Sequence, residues 1–405
     1  MPMDRVTRGS RRRRARRRGF IALALLAALA LVAGLAVARA VSGPSRGGSS
    51  AGAATGAGAT AVPVASPASS PPAASASPSP SPSEPPPVRV VSGGDVMPDR
   101  GPRAYAKAHG SDAVLAGIAR VLDKGDAAWV NLEGPLTTIG TPWPDKTYIF
   151  RGPPGMASAL RRAGVDIVTL GNNHAVDYGR AALMDSIKRL EKAGVQVVGA
   201  GRDAADAREP AIATTVSGAT IGFLAWNDAW WPGFAATASK AGVAEAFTDV
   251  GRMQRDIRKL AKRVDYVVVG YHWGIEHEHY PIAQQTKEAR AAIDAGADLV
   301  IGHHPHVLQG IEVYKRRIIF YSLGDLVFDH YSVETGQTVL VDAVLTPRGV
   351  TATLVPAYAS SQGIPSIQRG AAGRTILALV KQYSQPFGTK VTIKGDTATV
   401  RAGGK

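Results

Sequence analysis

The chain has no cysteine at all, which excludes thiolate nucleophiles, thiolate metal sites and disulfide staples; any chemistry here must use oxygen and nitrogen donors. Acids are almost missing from the first 46 residues, where Asp4 stands alone against eleven arginines and so accounts for +10 of the formal net charge of +15. Only +5 is left for the rest of the chain, too little and too dispersed for a nucleic-acid surface. Large apolar side chains are scarce before Val88 outside a single run, so no globular core begins there.

That run is FIALALLAALALVAGLAVA, residues 20–38. At about 1.5 Å per residue it nearly spans a hydrocarbon core of about 30 Å. With the arginine block before it, it reads as a signal anchor over 20–40, with a basic cytoplasmic segment over 1–19 and everything later exported. The small residues of Val37-Ala38-Arg39-Ala40 leave a cleaved signal peptide as the alternative. Residues 41–87 are Ser, Ala, Gly and Pro with SPSPSPSEPPP at the end, a disordered, extended linker. The expected localisation is the cell membrane, single-pass with the N-terminus cytoplasmic and the folded domain, 88–401, outside.

Within 88–401 the pattern alternates strand, loop and helix, the signature of a layered α/β fold. Five apolar, β-branched-rich runs predict strands over 88–92, 127–130, 166–170, 265–270 and 298–301, and helical stripes predict helices over 111–123, 252–263, 284–295 and 371–383. Leu183, Ile187 and Leu190 repeat on one further helical face. Shorter β-rich runs over 211–226 and 311–345 predict antiparallel strands completing the sheets, and 390–401 a closing hairpin.

Each of the five strands is followed at once by a polar cluster of metal-ligand types: Gly94-Asp95-Val96-Met97, Asn131-Leu132-Glu133, Gly171-Asn172-Asn173-His174, His272-Trp273-Gly274-Ile275-Glu276, and Gly302-His303-His304-Pro305-His306. Ligands of open α/β sheets bind outside the carboxyl ends of strands, so five such clusters converge on one crevice. Seven of the nine histidines fall in or beside three of them. Imidazole and carboxylate together suit Zn, Mn or Fe.

The series GDVM, NLEGPLT, GNNHAVDYG, YHWGIE, GADLVIGHHPHVLQG and YSLGDLVFD resembles the CapA family, named for poly-γ-glutamate capsule synthesis and related to calcineurin-like metallophosphatases. The resemblance covers about residues 88–329 and implies a metallophosphatase-like β-sandwich flanked by helices. It implies a divalent transition metal centre in which Asp95, Glu133, Asn173, His272, His304 and His306 are ligands and His174 protonates the leaving group. Met97 replaces the histidine of the family's first motif, and NLEGP lacks the usual Asp and Arg of the second. One tight metal on Glu133, Asn173, His272 and His304 is therefore expected, with a weaker second one on Asp95, His306 and a shared Glu133.

Around this set, Asp177 is expected to orient His174, Arg100 to meet a phosphate or carboxylate, and Glu276 to support His272. Asp325 adds a charge at the crevice, His277, His279 and His303 are read as rim residues, and the stretch Trp226 to Trp231 as a candidate aromatic wall. Two functions fit: a metal-dependent hydrolase acting on a phosphoester or an envelope polymer, or a non-enzymatic component that binds a nascent anionic polymer for export or anchoring. The expected partners are the membrane, that polymer or phosphoester and a capsule synthesis complex, with no nucleic acid.

Overall fold

A computed structural model describes residues 84–330 and 332–403. The expected anchor over 20–40 and nearly all of the expected linker lie outside the described residues, among which no helix is long and apolar enough to cross a membrane.

Two sheets face each other. The larger runs, in order, Thr392–Lys394, Thr397–Ala402, Gly349–Ala359, Gln337–Thr346, Val88–Val96, Ala127–Leu132, Ile167–Thr169 and Gln196–Val198. The smaller runs Ile311–Tyr314, Arg317–Phe320, Leu299–His303, Tyr266–His272, Thr220–Asn227 and Ala211–Thr214. Side chains alternate across each strand. Val90, Trp129 and Ile167 meet Phe223, Val268 and Ile301 between the sheets. Val91, Val130 and Val168 point the other way, onto Leu160, Leu183 and Leu190 of the flanking helices, while Val267, Val269 and Val300 pack on Met253, Ile257 and Ala292. Because both faces of the central strands are buried, they read as continuous apolar runs rather than alternating ones. The result is the expected two-sheet sandwich flanked by helices.

Trp129 sets the spacing of the two layers. A Cβ at Gly270 would lie 2.1 Å from the Trp129 ring, so the facing strand needs glycine there. Gly270→Ala is expected to destabilise the fold by about 1–3 kcal/mol, the usual cost of overpacking. An unchanged urea midpoint would sink this account of the interlayer contact.

All five predicted strands form, each shifted by one to four residues at an end. One helix does not: 111–123 splits into Ser111–Leu115 and Ala119–Leu122, because Ile118 leaves the helical region at φ −124°. Helix Arg100–His109, which no stripe indicated, precedes it.

The parallel strands end on one edge, and the strand Asp325–Val327 joins there, pairing Asp325 with Asp95. Gly94 permits that join, since a Cβ would lie 1.8 Å from the Gly324 carbonyl oxygen. Asp95 is thereby turned toward the crevice with its amide donating to that same oxygen at 3.0 Å.

Candidate metal centre

Asp95, at the end of the first strand, is fully buried. Its Oδ1 accepts from Asn131 Nδ2 at 2.8 Å and its Oδ2 from the His304 amide at 3.0 Å. Asn131 is the hub of the network, because its amide nitrogen also lies 3.2 Å from His272 Nδ1 while its oxygen accepts from Asn172 Nδ2 at 3.0 Å. His272 Nε2 lies 2.9 Å from Asn173 Oδ1. Four strand ends thus meet through side chains far apart in sequence.

Donor atoms fall into three overlapping triads, each within 4.8 Å: Asp95, Glu133 and His272; Asp95, His306 and Asp325; and Glu276, His304 and His306. The resemblance implied that His304 shares a site with Glu133, but none of these triads contains both. His304 sits beside His272, ring centroids 4.7 Å apart, on a turn whose backbone is left-handed at His304 (φ 96°) and His306 (φ 58°). Non-glycine residues in that region cost about 1–3 kcal/mol each and gather at functional sites.

Glu133 tests whether a cation fits. It is fully buried, and neither carboxylate oxygen has a hydrogen-bond partner among the described residues. Burial holds it well above the usual carboxylate range, with Asp95 and Asp325 adding to the rise against His306. Burial thus favours the protonated form, and a divalent cation would satisfy both oxygens in place of a proton. Burial also drives His304 down to about 3, and burial with the neighbouring histidines drives His272 well below its usual value, so both imidazoles are neutral, the form that ligates metals. His304 Nδ1 is buried without a hydrogen-bond partner among the described residues. His306 differs: burial would lower it, yet Asp325, Glu133 and Asp95 together raise it well above the usual value. The donor set of carboxylates, imidazoles and an amide fits a divalent transition ion.

His174 faces this centre with Nε2 3.7 Å from Glu133 Oε1. Its Nδ1 lies 2.7 Å from Asp177 Oδ2, so Asp177 orients the ring as expected, and Phe150 stacks on it at 4.1 Å. Asp177 is fully buried and also accepts from the Phe150 amide at 2.7 Å and from the ammonium of Lys146. Burial lowers His174 to about 4. The ring is neutral at pH 7, and with Nδ1–H donating to Asp177 its Nε2 carries the lone pair.

Lys146 went unnoticed in the sequence. Only 3% of its side chain is exposed, and its ammonium reaches the Asn173 carbonyl, Asp177 and the neighbourhood of His174 Nδ1 at 3.0 Å. Nothing in WPDKTYIF marks it, since its importance lies in partners about thirty residues away. Asn131 stood in view within Asn131-Leu132-Glu133, but the resemblance marked only Glu133 as a ligand.

The outer residues need correction. Glu276 does not support His272: its donor atoms lie with His304 and His306, and Asn131 holds His272 Nδ1 instead. His303 is no rim residue, because as the last residue of its strand it points inward, 1% exposed, with Nδ1 3.1 Å from Asp95 Oδ1. His279 stacks on Tyr383, and His277 does line the crevice. Arg100 lines it too, but its guanidinium is paired with Asp329 at 2.6 Å and rests over the Phe150 and Phe328 rings. Asp325 bonds His306 Nδ1 at 2.9 Å, so the expected extra charge is present, with burial raising it to about 6. Of the tryptophans, Trp226 is core and only Trp231 reaches the crevice. Met97 packs with Phe150 and Phe328 and offers no donor to the centre.

The centre opens into a cavity of about 710 Å³ whose walls include Arg100, Lys146, His174, Trp231, Glu276 and Phe328.

Residues 89–330 match the family model described as bacterial capsule synthesis protein PGA_cap. The capsule biosynthesis protein CapA of Bacillus anthracis is 34% identical over 261 residues, covering 63% of this chain and 63% of that relative. The PGA biosynthesis protein CapA of Bacillus subtilis is 34% identical over 257 residues, covering 63% of this chain and 67% of that one. A probable polyglutamine synthesis accessory protein of Mycobacterium tuberculosis is 28% identical over 290 residues, 67% and 76% of the two chains. The chain thus spans just under two thirds of the length of the Bacillus anthracis relative. The matched span contains every residue converging on the centre, from Asp95 to Asp325, and the chain belongs to the bacterial capsule synthesis PGA_cap family.

Proposed function

We propose that the chain is a metal-dependent hydrolase of the metallophosphatase type, tethered outside the cytoplasm and acting in the synthesis of a capsule or envelope polymer such as poly-γ-glutamate. One observation carries this: a buried carboxylate, Glu133, has no hydrogen-bond partner for either oxygen among the described residues and faces an oriented imidazole, His174. A structural module would gain nothing from that arrangement, because an unpaired buried carboxyl only costs stability.

Asp95, Glu133, Asn173, His272, His304 and His306 hold the ion, a Zn, Mn or Fe of which one is bound tightly and a second more weakly. When bound, it supplies Lewis acidity for hydrolytic attack. The chain's own residues do the rest. His174 accepts a proton at Nε2 and returns it to the leaving oxygen. Asp177 stabilises the imidazolium that forms, and Lys146 keeps Asp177 in place. Phe150 and Phe328 keep water from the flank of the centre, and Arg100 at the cavity wall meets an anionic group of the substrate in exchange with Asp329. Neighbouring proteins of a membrane capsule synthesis complex are the partners this reading implies.

The test uses the purified full-length chain, with metal measured on each preparation, against phosphodiesters, phosphomonoesters and γ-linked glutamate oligomers, alongside protease treatment of intact cells. Metal-dependent turnover of one class, and release of the folded domain by external protease, are expected. No turnover, together with oligomer binding that survives chelation, would replace the enzyme with a polymer-binding component.

A further inference from the structure

Glu276, His304 and His306 bring their donor atoms within 4.8 Å of one another and share no residue with the equally tight set of Asp95, Glu133 and His272. The two turns that carry them are tied together, since the His277 amide donates to the Pro305 carbonyl at 2.8 Å. Three residues of these turns, His277, His304 and His306, hold left-handed backbone at φ 64°, 96° and 58°. Such strain persists only where surrounding structure imposes it. His304 is 7% exposed with an unpartnered Nδ1. Asp325 takes His306 Nδ1, which leaves Nε2 as the ligating atom, the arrangement that fixes metal-bound histidines generally. Glu276 is exposed at the cavity wall, so its carboxylate stays solvated until an ion arrives.

We infer that Glu276, His304 and His306 form a second cation site at the mouth of the cavity, adjoining the inner set through His306, whose Nε2 lies 3.7 Å from Glu133 Oε1, and suited to a borderline divalent transition ion. The inference rests on the metal-centre reading above and changes its ligand list: Glu276 joins it as a ligand, and His304 serves the outer ion. Two imidazoles and one carboxylate leave coordination positions open for water or a substrate oxygen. An ion held partly by an exposed carboxylate exchanges with solvent more readily than one enclosed by Asp95, Glu133 and His272.

Co²⁺ titration of the purified full-length chain, followed by bound-metal analysis and visible absorption, separates the outcomes. Wild type is expected to take up two equivalents, the second more weakly. Glu276→Gln should keep the first and weaken the second by about 10- to 100-fold, the range typical of lost metal-site interactions. Glu334→Gln, which removes another exposed carboxylate from the same cavity wall, should titrate like wild type. The outer site is overturned if Glu276→Gln takes up its second equivalent as wild type does, if Glu334→Gln is impaired equally, or if wild type binds only one ion and Glu276→Gln retains it. Wild type binding none would instead bring down the metal-centre reading, and the outer site with it.

Discussion

Glu133→Leu is expected to lose the tightly bound metal and all activity while making the metal-free protein more stable. The two effects have opposite signs because the Glu133 carboxyl is fully buried with no hydrogen-bond partner for either oxygen among the described residues, so it costs stability until a cation arrives. Relief of about 1–3 kcal/mol is expected for the apoprotein at neutral pH. The pH dependence comes from the direction of the shift. Burial raises the folded-state value above 4.5, so between the two values the folded protein binds more protons than the unfolded chain. This contribution to stability is therefore complete below about pH 4.5 and is lost as pH rises through the folded value. Glu133→Leu should flatten that decline in chelator-treated samples, and the gain over wild type should grow from acid to neutral pH. Urea unfolding with and without metal measures both arms. A variant less stable than wild type in the absence of metal would show that Glu133 has a structural partner and is not awaiting a cation.

His174→Ala should separate proton transfer from metal binding. Its ring is oriented by Asp177 and stacked by Phe150, and its Nε2 faces the centre without belonging to any of the converging donor triads. Metal content and unfolding midpoint should stay near wild type, while turnover falls by about 10²- to 10⁴-fold, the usual worth of general acid–base catalysis. Loss of metal in proportion to activity would make His174 a ligand. Turnover within about tenfold of wild type would leave no catalytic role for it.

Much of the centre was legible because of where its residues stand. Asp95, Glu133, Asn173, His272, His304 and His306 each lie at or just past the end of a strand that the apolar runs revealed, and parallel strands deliver their terminal loops to one edge. Their convergence did not depend on exact strand ends, which is why boundaries wrong by up to four residues did no harm. Asp177 was legible for a local reason: three residues after His174 on the same tight loop, it could hardly avoid the ring.

The misplacements have a common cause. His303, His304 and His306 lie within four residues, and the sequence offers no means of telling which imidazole points where; left-handed backbone at His304 and His306 brings those two beside Glu276, with His306 also facing Asp95 and Glu133, and leaves His303 against Asp95. Glu276 was assigned to His272 by nearness in sequence, whereas the turn between them carries it to the histidines of the next loop. Trp226 looked like part of a wall, but its place at the end of a central strand buries it.

By itself the sequence determined the layered fold and the types of donor at the crevice, since strand periodicity and the position of polar residues after each strand are local properties of the chain. Only the tertiary structure decided how those donors divide. Asn131 meets His272 across 141 residues of sequence, the His304 amide meets Asp95 across 209, and Lys146 is buried against Asp177 across 31. Such contacts are fixed by how the two sheets stack and how their turns lean together. The pairing of a buried charge is a property of that arrangement, not of the residues next to it in the chain.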